Sequence, residues 1–272
     1  MDRGQRMIDR GKRDILGVDV DVVDYEATVN RVLAAARSKQ PLTVSALAVH
    51  GVMTGRLDPD QCYRLNNIDV VAPDGQPVRW ALRLLHGEKL PARVYGPDLM
   101  LKLCEAAARQ GVSIYLFGGQ QDALDQLQAA LAARFKSLRL AGSSPSAFSQ
   151  VTDAANAALI EKIRASGAGI LFVGLGCPRQ EVWVFENRAA LGIPAIAVGA
   201  AFDFLSGRKK QAPAWMQDQG LEWLFRLAQE PGRLWRRYIG LNSLYCCLVA
   251  LQMLGLTGAV RNSHQVKRLN YG

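Results

Sequence analysis

Residues 112–141 read VSIYLFGGQQDALDQLQAALAARFKSLRLA, and the fold class can be worked out from this stretch. Its apolar run Val112–Phe117 predicts a buried strand, Asp122–Phe135 has the spacing of a helix, and Leu138–Ala141 predicts a second strand. A strand, a helix and a strand within about 30 residues are typical of a βαβ unit, whose two strands are parallel.

The same alternation continues on both sides of this unit. Further strands are predicted at Pro41–Val49, Ile68–Ala72, Ile170–Gly174 and Ala195–Val198. Helices are predicted at Pro77–Leu85, Asp98–Arg109, Thr152–Ala165 and Gln180–Leu191. We therefore predict an α/β, Rossmann-like fold, in which helices cover both faces of a mainly parallel sheet. Ile15–Val23 is expected to be an edge strand.

The composition excludes several classes of protein. Of 272 residues, 49% are hydrophobic and 21% charged, which favours a packed core over disorder. The histidines His50, His86 and His264 are far apart in the sequence, which argues against a histidine-based zinc site. The five cysteines lack CxxC spacing and indicate reduced thiols in a reducing compartment, and the polar residues 1–13 predict no signal peptide.

The positive charge is concentrated at the C-terminal end. Of the formal net charge of +9, residues 205–272 carry ten Lys/Arg and three Asp/Glu, which is 10 − 3 = +7 and leaves +2 for the rest. Trp215, Trp223 and Trp235 alternate there with arginines, and the mostly apolar stretch Ile239–Val260 follows. Such a segment is typical of a helix that lies in a membrane interface.

We therefore divide the chain into a basic N-terminal tail (1–14), a Rossmann-like domain (15–213) and a C-terminal appendage (214–272). The appendage is expected to be helical and to associate with a membrane surface rather than cross the membrane, because polar residues and glycines interrupt residues 239–260. The alternatives are a solvated basic tail and ordinary packing of this stretch against the core.

Loops that follow predicted strands supply the candidate site residues, because ligands of parallel sheets bind beyond the carboxyl ends of the strands. Asp74 lies between a strand and a helix, where a partly desolvated carboxylate can act as a general base; capping of that helix is the alternative. Gly118 and Gly119 precede a helix in an arrangement compatible with a phosphate, although glycines usually serve a turn.

Two later loops are richer in polar groups. Residues 174–181, GLGCPRQE, begin like a dinucleotide-binding motif, but Arg179 stands where the third glycine is needed. Gly176, Arg179 and Gln180 are instead candidates for contacts with a nucleotide or a sugar. In residues 199–204, GAAFDF, Gly199 permits close approach of a ligand, Phe202 offers a flat face and Asp203 an acceptor; the alternative is a tight turn with buried phenylalanines.

Eight motifs occur in order along the chain: PDG (73–75), RVYGPDL (93–99), FGG (117–119), VGLGCPRQE (173–181), GAAFDFLSG (199–207), RKKQAPAWM (208–216), GLEWLFRL (220–227) and EPGRLWRRY (230–238). From about Ile15 to Tyr238 the series resembles the WecG/TagA/CpsF family of glycosyltransferases, also called family 26. The resemblance implies a Rossmann-like, inverting transferase that needs neither a metal nor another cofactor.

The expected donor is a UDP-sugar that carries a hexose, an N-acetylhexosamine or its uronic acid. The expected acceptor is a sugar on a polyprenyl diphosphate, in the biosynthesis of exopolysaccharide, teichoic acid or common antigen. The resemblance also implies a cytoplasmic protein bound peripherally to the inner face of the bacterial cell membrane. A homo-oligomer is possible, and no nucleic-acid partner is expected.

The resemblance assigns roles to individual residues. Asp74 matches the family's proposed base, Gln180 and Asp203 match residues of its pocket, and Arg93 matches the basic residue before a G-x-D segment. Family members use an arginine-bearing appendage to complete the site. Here this implies catalytic Arg233 and Arg236 with substrate-binding Arg226 and Arg237.

One segment departs from the family pattern. The family's early strand ends in a T-L-N-like segment, whereas this chain has Ser45 in place of Thr and Leu47 in place of Asn. Ser45 is expected to substitute for the threonine, and His50 either compensates for the missing amide or faces the core.

Three alternatives accompany this interpretation. They are a nucleotide-binding Rossmann oxidoreductase, a non-enzymatic membrane-binding module, and a metal-dependent transferase that uses Asp19 and Asp21 as a DxD pair. The chain lacks the intact glycine motif that a nucleotide-binding oxidoreductase of this kind needs. For the two aspartates, solubility of an edge strand is the simpler explanation.

Overall fold

The structure, a computed structural model, describes residues 7–258, 266, 268, 269, 271 and 272, without the side chains of Arg233, Arg236, Arg237 and Ile239. Its main sheet has six parallel strands in the order β4-β3-β8-β7-β5-β6. These strands are β3 (Leu42–Leu47), β4 (Val70–Pro73), β5 (Ser113–Gly118), β6 (Arg139–Ser144), β7 (Ile170–Gly174) and β8 (Pro194–Ala197).

The helices of the body are α1 (Tyr25–Ser38), α2 (Val49–Leu57), α3 (Pro59–Asn66), α4 (Gln76–His86), α5 (Gly96–Gln110), α6 (Gln121–Arg134), α7 (Asp153–Ala165), α8 (Arg179–Leu191) and α9 (Ala201–Leu205). The predicted Rossmann-like fold is thereby confirmed, including the βαβ unit formed by β5, α6 and β6.

Alternation along the strands explains why helices cover both faces. In β5, Ile114 and Leu116 pack into one apolar cluster, whereas Tyr115 and Phe117 pack into another that includes Trp183. The rings of Phe117 and Trp183 lie 4.7 Å apart between centroids. Since successive side chains of a strand point to opposite faces, a strand that is apolar throughout needs a helical layer on each side.

The sequence pattern does not predict α2 and α3. Helix α2 has nine residues, and its buried positions include Gly51 and Gly55, so no amphipathic stripe marks it. Helix α3 does begin with residues that are common at helix starts. The Asp58 side chain accepts a hydrogen bond from the Asp60 N–H, and Pro59 occupies the first turn.

The prediction that Ile15–Val23 is a single edge strand of the main sheet is wrong, although Val18–Val23 is a strand. Strands β1 (Asp9–Ile15) and β2 (Val18–Val23) instead form an antiparallel hairpin outside the main sheet, so part of the expected basic tail is a strand. Leu16 and Gly17 both have positive φ, 57° and 93°, as a tight hairpin turn requires. The apolar run conceals this turn because Leu16 continues it.

Asp21 ties this hairpin to the sheet and does not serve solubility. Its carboxylate accepts a 2.7 Å hydrogen bond from the Val71 N–H, and the residue is only 2% exposed. Neither Asp19 nor Asp21 lines the cleft described below.

The appendage is mainly helical from Ala214 to Met253, and near its end Tyr271 forms an isolated β-bridge with Gln150. It contains α10 (Ala214–Asp218), α11 (Glu222–Gln229), α12 (Pro231–Trp235), a π-helical segment (Arg236–Asn242) and α13 (Ser243–Met253). Tyr245 donates a hydrogen bond to the Pro77 carbonyl, and Gln252 accepts one from the Leu16 N–H, so one face of α13 packs against the body. Within the described ranges, no helix has the length and apolar character needed to cross a bilayer.

Candidate active site

A cleft of about 370 Å³ lies where β4, β3, β8 and β7 end. These four strands are neighbours in the sheet, so the loops that follow them converge at one edge. The predicted site residues that line the cleft are His50, Asp74, Gly176, Arg179, Gln180, Gly199, Phe202, Asp203 and Arg226. Lining residues that the sequence did not single out include Tyr95, Phe148, Glu181, Lys209 and Tyr238.

The remaining predicted residues have other positions. Arg93 borders a second cavity next to the cleft, whereas Ser45, Gly118 and Gly119 line neither of the two. The side chains of Arg233, Arg236 and Arg237 lie outside the described residues, so their predicted roles stay predictions.

Asp74 lies on the turn directly after β4. Its N–H donates to the Leu47 carbonyl at 3.1 Å, and its carboxylate accepts from the Gly96 N–H at 3.4 Å. Gly75 is the N-cap of α4, so the Asp74 carboxylate does not cap that helix and is available for chemistry. The turn requires glycine at position 75, where φ is +96°.

The environment of Asp74 suits a general base. Burial raises the pKa of this carboxyl to about 7, Arg93 opposes the increase and Glu222 adds to it. The side chain is 17% exposed, and its Oδ1 atom is 3.9 Å from the Arg93 guanidinium. A base whose pKa lies near neutrality combines a useful deprotonated fraction with adequate basicity.

Arg93 connects the body to the appendage. Its guanidinium donates to the Glu222 carboxylate at 2.6 Å and to the Gln217 side chain at 3.1 Å. It also lies over the Tyr95 ring, 4.2 Å from the centroid. Arg93 therefore belongs to a buried ion-pair network beside Asp74. The sequence predicted Arg93 as a substrate ligand and did not indicate this network.

The second cavity, of about 110 Å³, shares part of its wall with the cleft. Both are bordered by Ala48, His50, Asp74, Tyr95, Arg226 and Tyr238. Asp74 thus stands where two spaces meet, one at the strand ends and one between α4 and the appendage.

Gln180 and Ser45 are held inside the protein by Glu181. The Gln180 side chain accepts from the Gly199 N–H at 3.1 Å and donates to Glu181 at 2.8 Å, while the Ser45 hydroxyl donates to Glu181 at 3.0 Å. Ser45 is fully buried, so its contact is with Glu181 and not with the cleft. These bonds fix the loops after β7 and β8 relative to β3.

Burial raises the pKa of the Glu181 carboxyl, which is fully inaccessible to solvent. The sequence signal for Glu181 was its place in the motif GLGCPRQE, but nothing in that motif distinguishes a buried carboxyl from an exposed one.

The segment after β8 contains an ion pair that lines the cleft. Asp203 forms a 3.1 Å ion pair with Lys209, which also pairs with Glu230 at 3.3 Å. Phe202 is only 3% exposed and lies under Gly174, where an added Cβ would come within 2.7 Å of its ring. Most of Phe202 is therefore used in packing, which limits the flat face predicted for it.

Gly118 and Gly119 serve the backbone. Gly118 has φ +125°, and an added Cβ would lie 2.5 Å from the Gly174 carbonyl oxygen, so a side chain at this position would clash with the end of β7. Gly119 has φ +70°, and its carbonyl accepts from the Ser146 N–H. The phosphate-compatible geometry predicted for these glycines is not at the cleft.

The appendage closes one side of the cleft. Arg226 of α11 lies over the Phe204 ring, 5.1 Å from its centroid, and Leu234 and Tyr238 complete this wall. The cleft at the strand ends therefore combines a buried carboxyl with basic side chains, an arrangement that can accept a proton and stabilise negative charge.

Comparison with known proteins identifies the family of this chain. Residues 13–258 match a family model described as the glycosyl transferase WecG/TagA/CpsF family. The chain belongs to the WecG/TagA/CpsF glycosyltransferase family. The match extends beyond Tyr238, where the motif series ended, and includes α13. Membership in this glycosyltransferase family favours sugar transfer over the oxidoreductase and the non-enzymatic membrane module.

Proposed function

We propose that this glycosyltransferase transfers a hexose, an N-acetylhexosamine or its uronic acid from a UDP-sugar to a sugar on a polyprenyl diphosphate, with inversion and without a metal. The product would enter a cell-surface polysaccharide such as exopolysaccharide, teichoic acid or common antigen. The observation that carries the proposal is the position of Asp74, a carboxyl with a pKa of about 7 at the junction of two cavities.

In this mechanism Asp74 accepts the proton of the acceptor hydroxyl. The hydroxyl oxygen then forms a bond to the anomeric carbon of the donor, and the bond from that carbon to the diphosphate breaks. The electron pair leaves with UDP, and attack from the opposite side inverts the centre. One carboxylate is sufficient for this reaction, because no covalent sugar–enzyme intermediate is formed.

The leaving diphosphate needs positive charge. Arg226, Lys209 and Arg179 line the cleft and can supply it. Helix α8 begins at Arg179, which lines the cleft, so the positive end of the helix dipole adds to the attraction for an anion. We assign the donor to this cleft, where Asp203 would accept from the uridine.

The acceptor is assigned to the second cavity. It opens between the body and the appendage and is bordered by Gln76, Glu222, Trp223 and Asn242. An acceptor sugar there would bring its hydroxyl to Asp74 from the side opposite the donor. The polyprenyl chain of the acceptor would then extend from this cavity along the appendage.

The donor class can be tested by thermal shift. UDP should raise the melting temperature more than GDP, CMP or NAD, because a ligand that binds only the folded state stabilises it by mass action. Transfer from a UDP-sugar to a lipid-linked acceptor should persist in EDTA. An equal response to all four nucleotides, or complete loss of transfer in EDTA, would contradict the proposal.

The appendage also supports the proposed attachment to a membrane. No charged residue occurs from Tyr238 to Gly258, and large apolar side chains are exposed there: Leu244, Met253, Leu254 and Leu256. Trp215, Trp223 and Trp235 are exposed nearby. Exposed apolar side chains next to tryptophans and arginines suit the interface between headgroups and acyl chains.

Leu254→Glu should reduce sedimentation with anionic phospholipid vesicles several-fold. Leu254 is 71% exposed, and a carboxylate at this position would be repelled by the anionic vesicle surface. Ala133→Glu on the exposed face of α6 is the matched control and should sediment like the wild type. Equal sedimentation of the Leu254 variant would remove this surface from the membrane contact.

A further inference from the structure

Arg93 stands between two carboxylates that belong to different parts of the chain. Its Nη1 atom is 3.9 Å from Asp74 of the body, and its Nη2 atom is 2.6 Å from Glu222 of the appendage. The short contact is with Glu222, so the guanidinium is committed to the appendage and pairs only loosely with Asp74. Both Arg93 and Glu222 are buried, which makes the unequal sharing energetically significant.

Glu222 borders the second cavity, but no step of the proposed mechanism uses its carboxylate. Besides Arg93, its carboxylate accepts from the Tyr95 hydroxyl at 3.2 Å and lies 4.0 Å from Arg226. Gln217 strengthens the same contact, since its side chain accepts from Arg93 and its backbone carbonyl from Gln76. The appendage thus meets the body through polar groups that surround the Asp74 carboxyl.

We propose that Glu222 is a positioning residue that draws Arg93 away from Asp74 when the appendage lies against the body, and that this docking makes Asp74 an effective base. The inference rests on the proposed function, in which Asp74 receives the acceptor proton. When Glu222 is absent or displaced, Asp74 is the carboxylate that Arg93 can approach. A tight Arg93–Asp74 pair would stabilise the ionised carboxylate and weaken it as a base.

The described side chains around Asp74 determine how its titration responds. Arg93 and Arg226 favour the ionised carboxylate, and Glu222 disfavours it. Tyr95 and His50 border the same two cavities. Removal of the Glu222 charge eliminates the nearby repulsion and releases Arg93, and both changes act in the same direction.

The test compares the pH dependence of kcat/KM in the full chain for the wild type, Glu222→Gln and Glu222→Asp. Glu222→Gln should move the acid limb down by about one pH unit and lower the plateau, because the base becomes weaker. Glu222→Asp, which restores the charge, should return the limb towards the wild-type position. Asp218→Asn removes a charge from an exposed position of the same appendage and should leave the limb unmoved.

A second measurement does not depend on activity. The gain in stability caused by Asp74→Asn, followed against pH, reports the pKa of Asp74, and its midpoint should also move down in the Glu222→Gln background. An unmoved limb together with an unmoved midpoint would overturn the role of Glu222. If the midpoint moves but neither the wild type nor any variant transfers sugar, the coupling is supported and the proposed function fails.

Discussion

Asp74→Asn is expected to reduce the transfer rate by roughly 10²–10⁴-fold while the chain remains folded. The amide cannot accept the acceptor proton, but it has nearly the same shape and can still accept the hydrogen bond from the Gly96 N–H. Steady-state kinetics with a lipid-linked acceptor should show the loss in kcat. In the wild type, kcat/KM should fall as the pH drops below about 7, because protonation of Asp74 removes the base.

The same substitution should stabilise the protein. The folded-state pKa of Asp74, about 7, is above its ordinary value of 3.8, so the folded state holds this proton more tightly than the unfolded chain does. Between these two values the unfolded state binds fewer protons, and the contribution of Asp74 to stability falls as the pH rises. Asp74→Asn lacks this loss, so its advantage should grow from about pH 4 to about pH 7 and then level off.

Asp125→Asn on the exposed face of α6 is the control for both measurements and should match the wild type. A full transfer rate in Asp74→Asn would remove Asp74 from the mechanism. A lower melting temperature of Asp74→Asn at neutral pH would show that the carboxylate stabilises the folded state, contrary to the expected destabilisation by burial of its charge.

Arg226→Ala should lower kcat by roughly 10²–10³-fold, the usual effect of removing one group that stabilises charge in the transition state. Arg226 comes from α11, lines the cleft and is held over Phe204, so its guanidinium is already in place for the departing diphosphate. Arg226→Lys should recover only part of the rate, because an ammonium lacks the planar pair of donors that fits a phosphate.

The control for this prediction is Arg134→Ala, which removes an exposed arginine at the end of α6. The decisive comparison is between kcat and KM. If Arg226→Ala raises KM and leaves kcat unchanged, Arg226 contributes equally to ground state and transition state and does not assist departure of UDP.

Several features of this protein follow from local sequence alone. The alternation of strands and helices determines a parallel sheet, and a parallel sheet brings the loops after its strands to one edge. Asp74, Gln180 and Asp203 were placed near one another on this reasoning, and all three line the cleft. The limits of β7, Ile170–Gly174, agree with the prediction because four buried apolar residues precede a glycine.

Other features depend on contacts between distant parts of the chain. Ser45 and Glu181 are 136 positions apart, and only packing of α8 beside β3 turns the expected pocket serine into a buried partner of Glu181. Arg93 and Glu222 are 129 positions apart, so no motif indicates that one guanidinium serves two carboxylates. Likewise, the Leu16-Gly17 turn is concealed in a run that is apolar because the hairpin packs against the body.

The sequence by itself determined the fold class and the edge at which polar loops meet, because hydrophobic periodicity is a local property of the chain. The tertiary structure decided which of those polar groups face the cleft and which satisfy one another. That choice depends on burial: a buried polar group must find a partner, and the partner is supplied by whichever element packs against it.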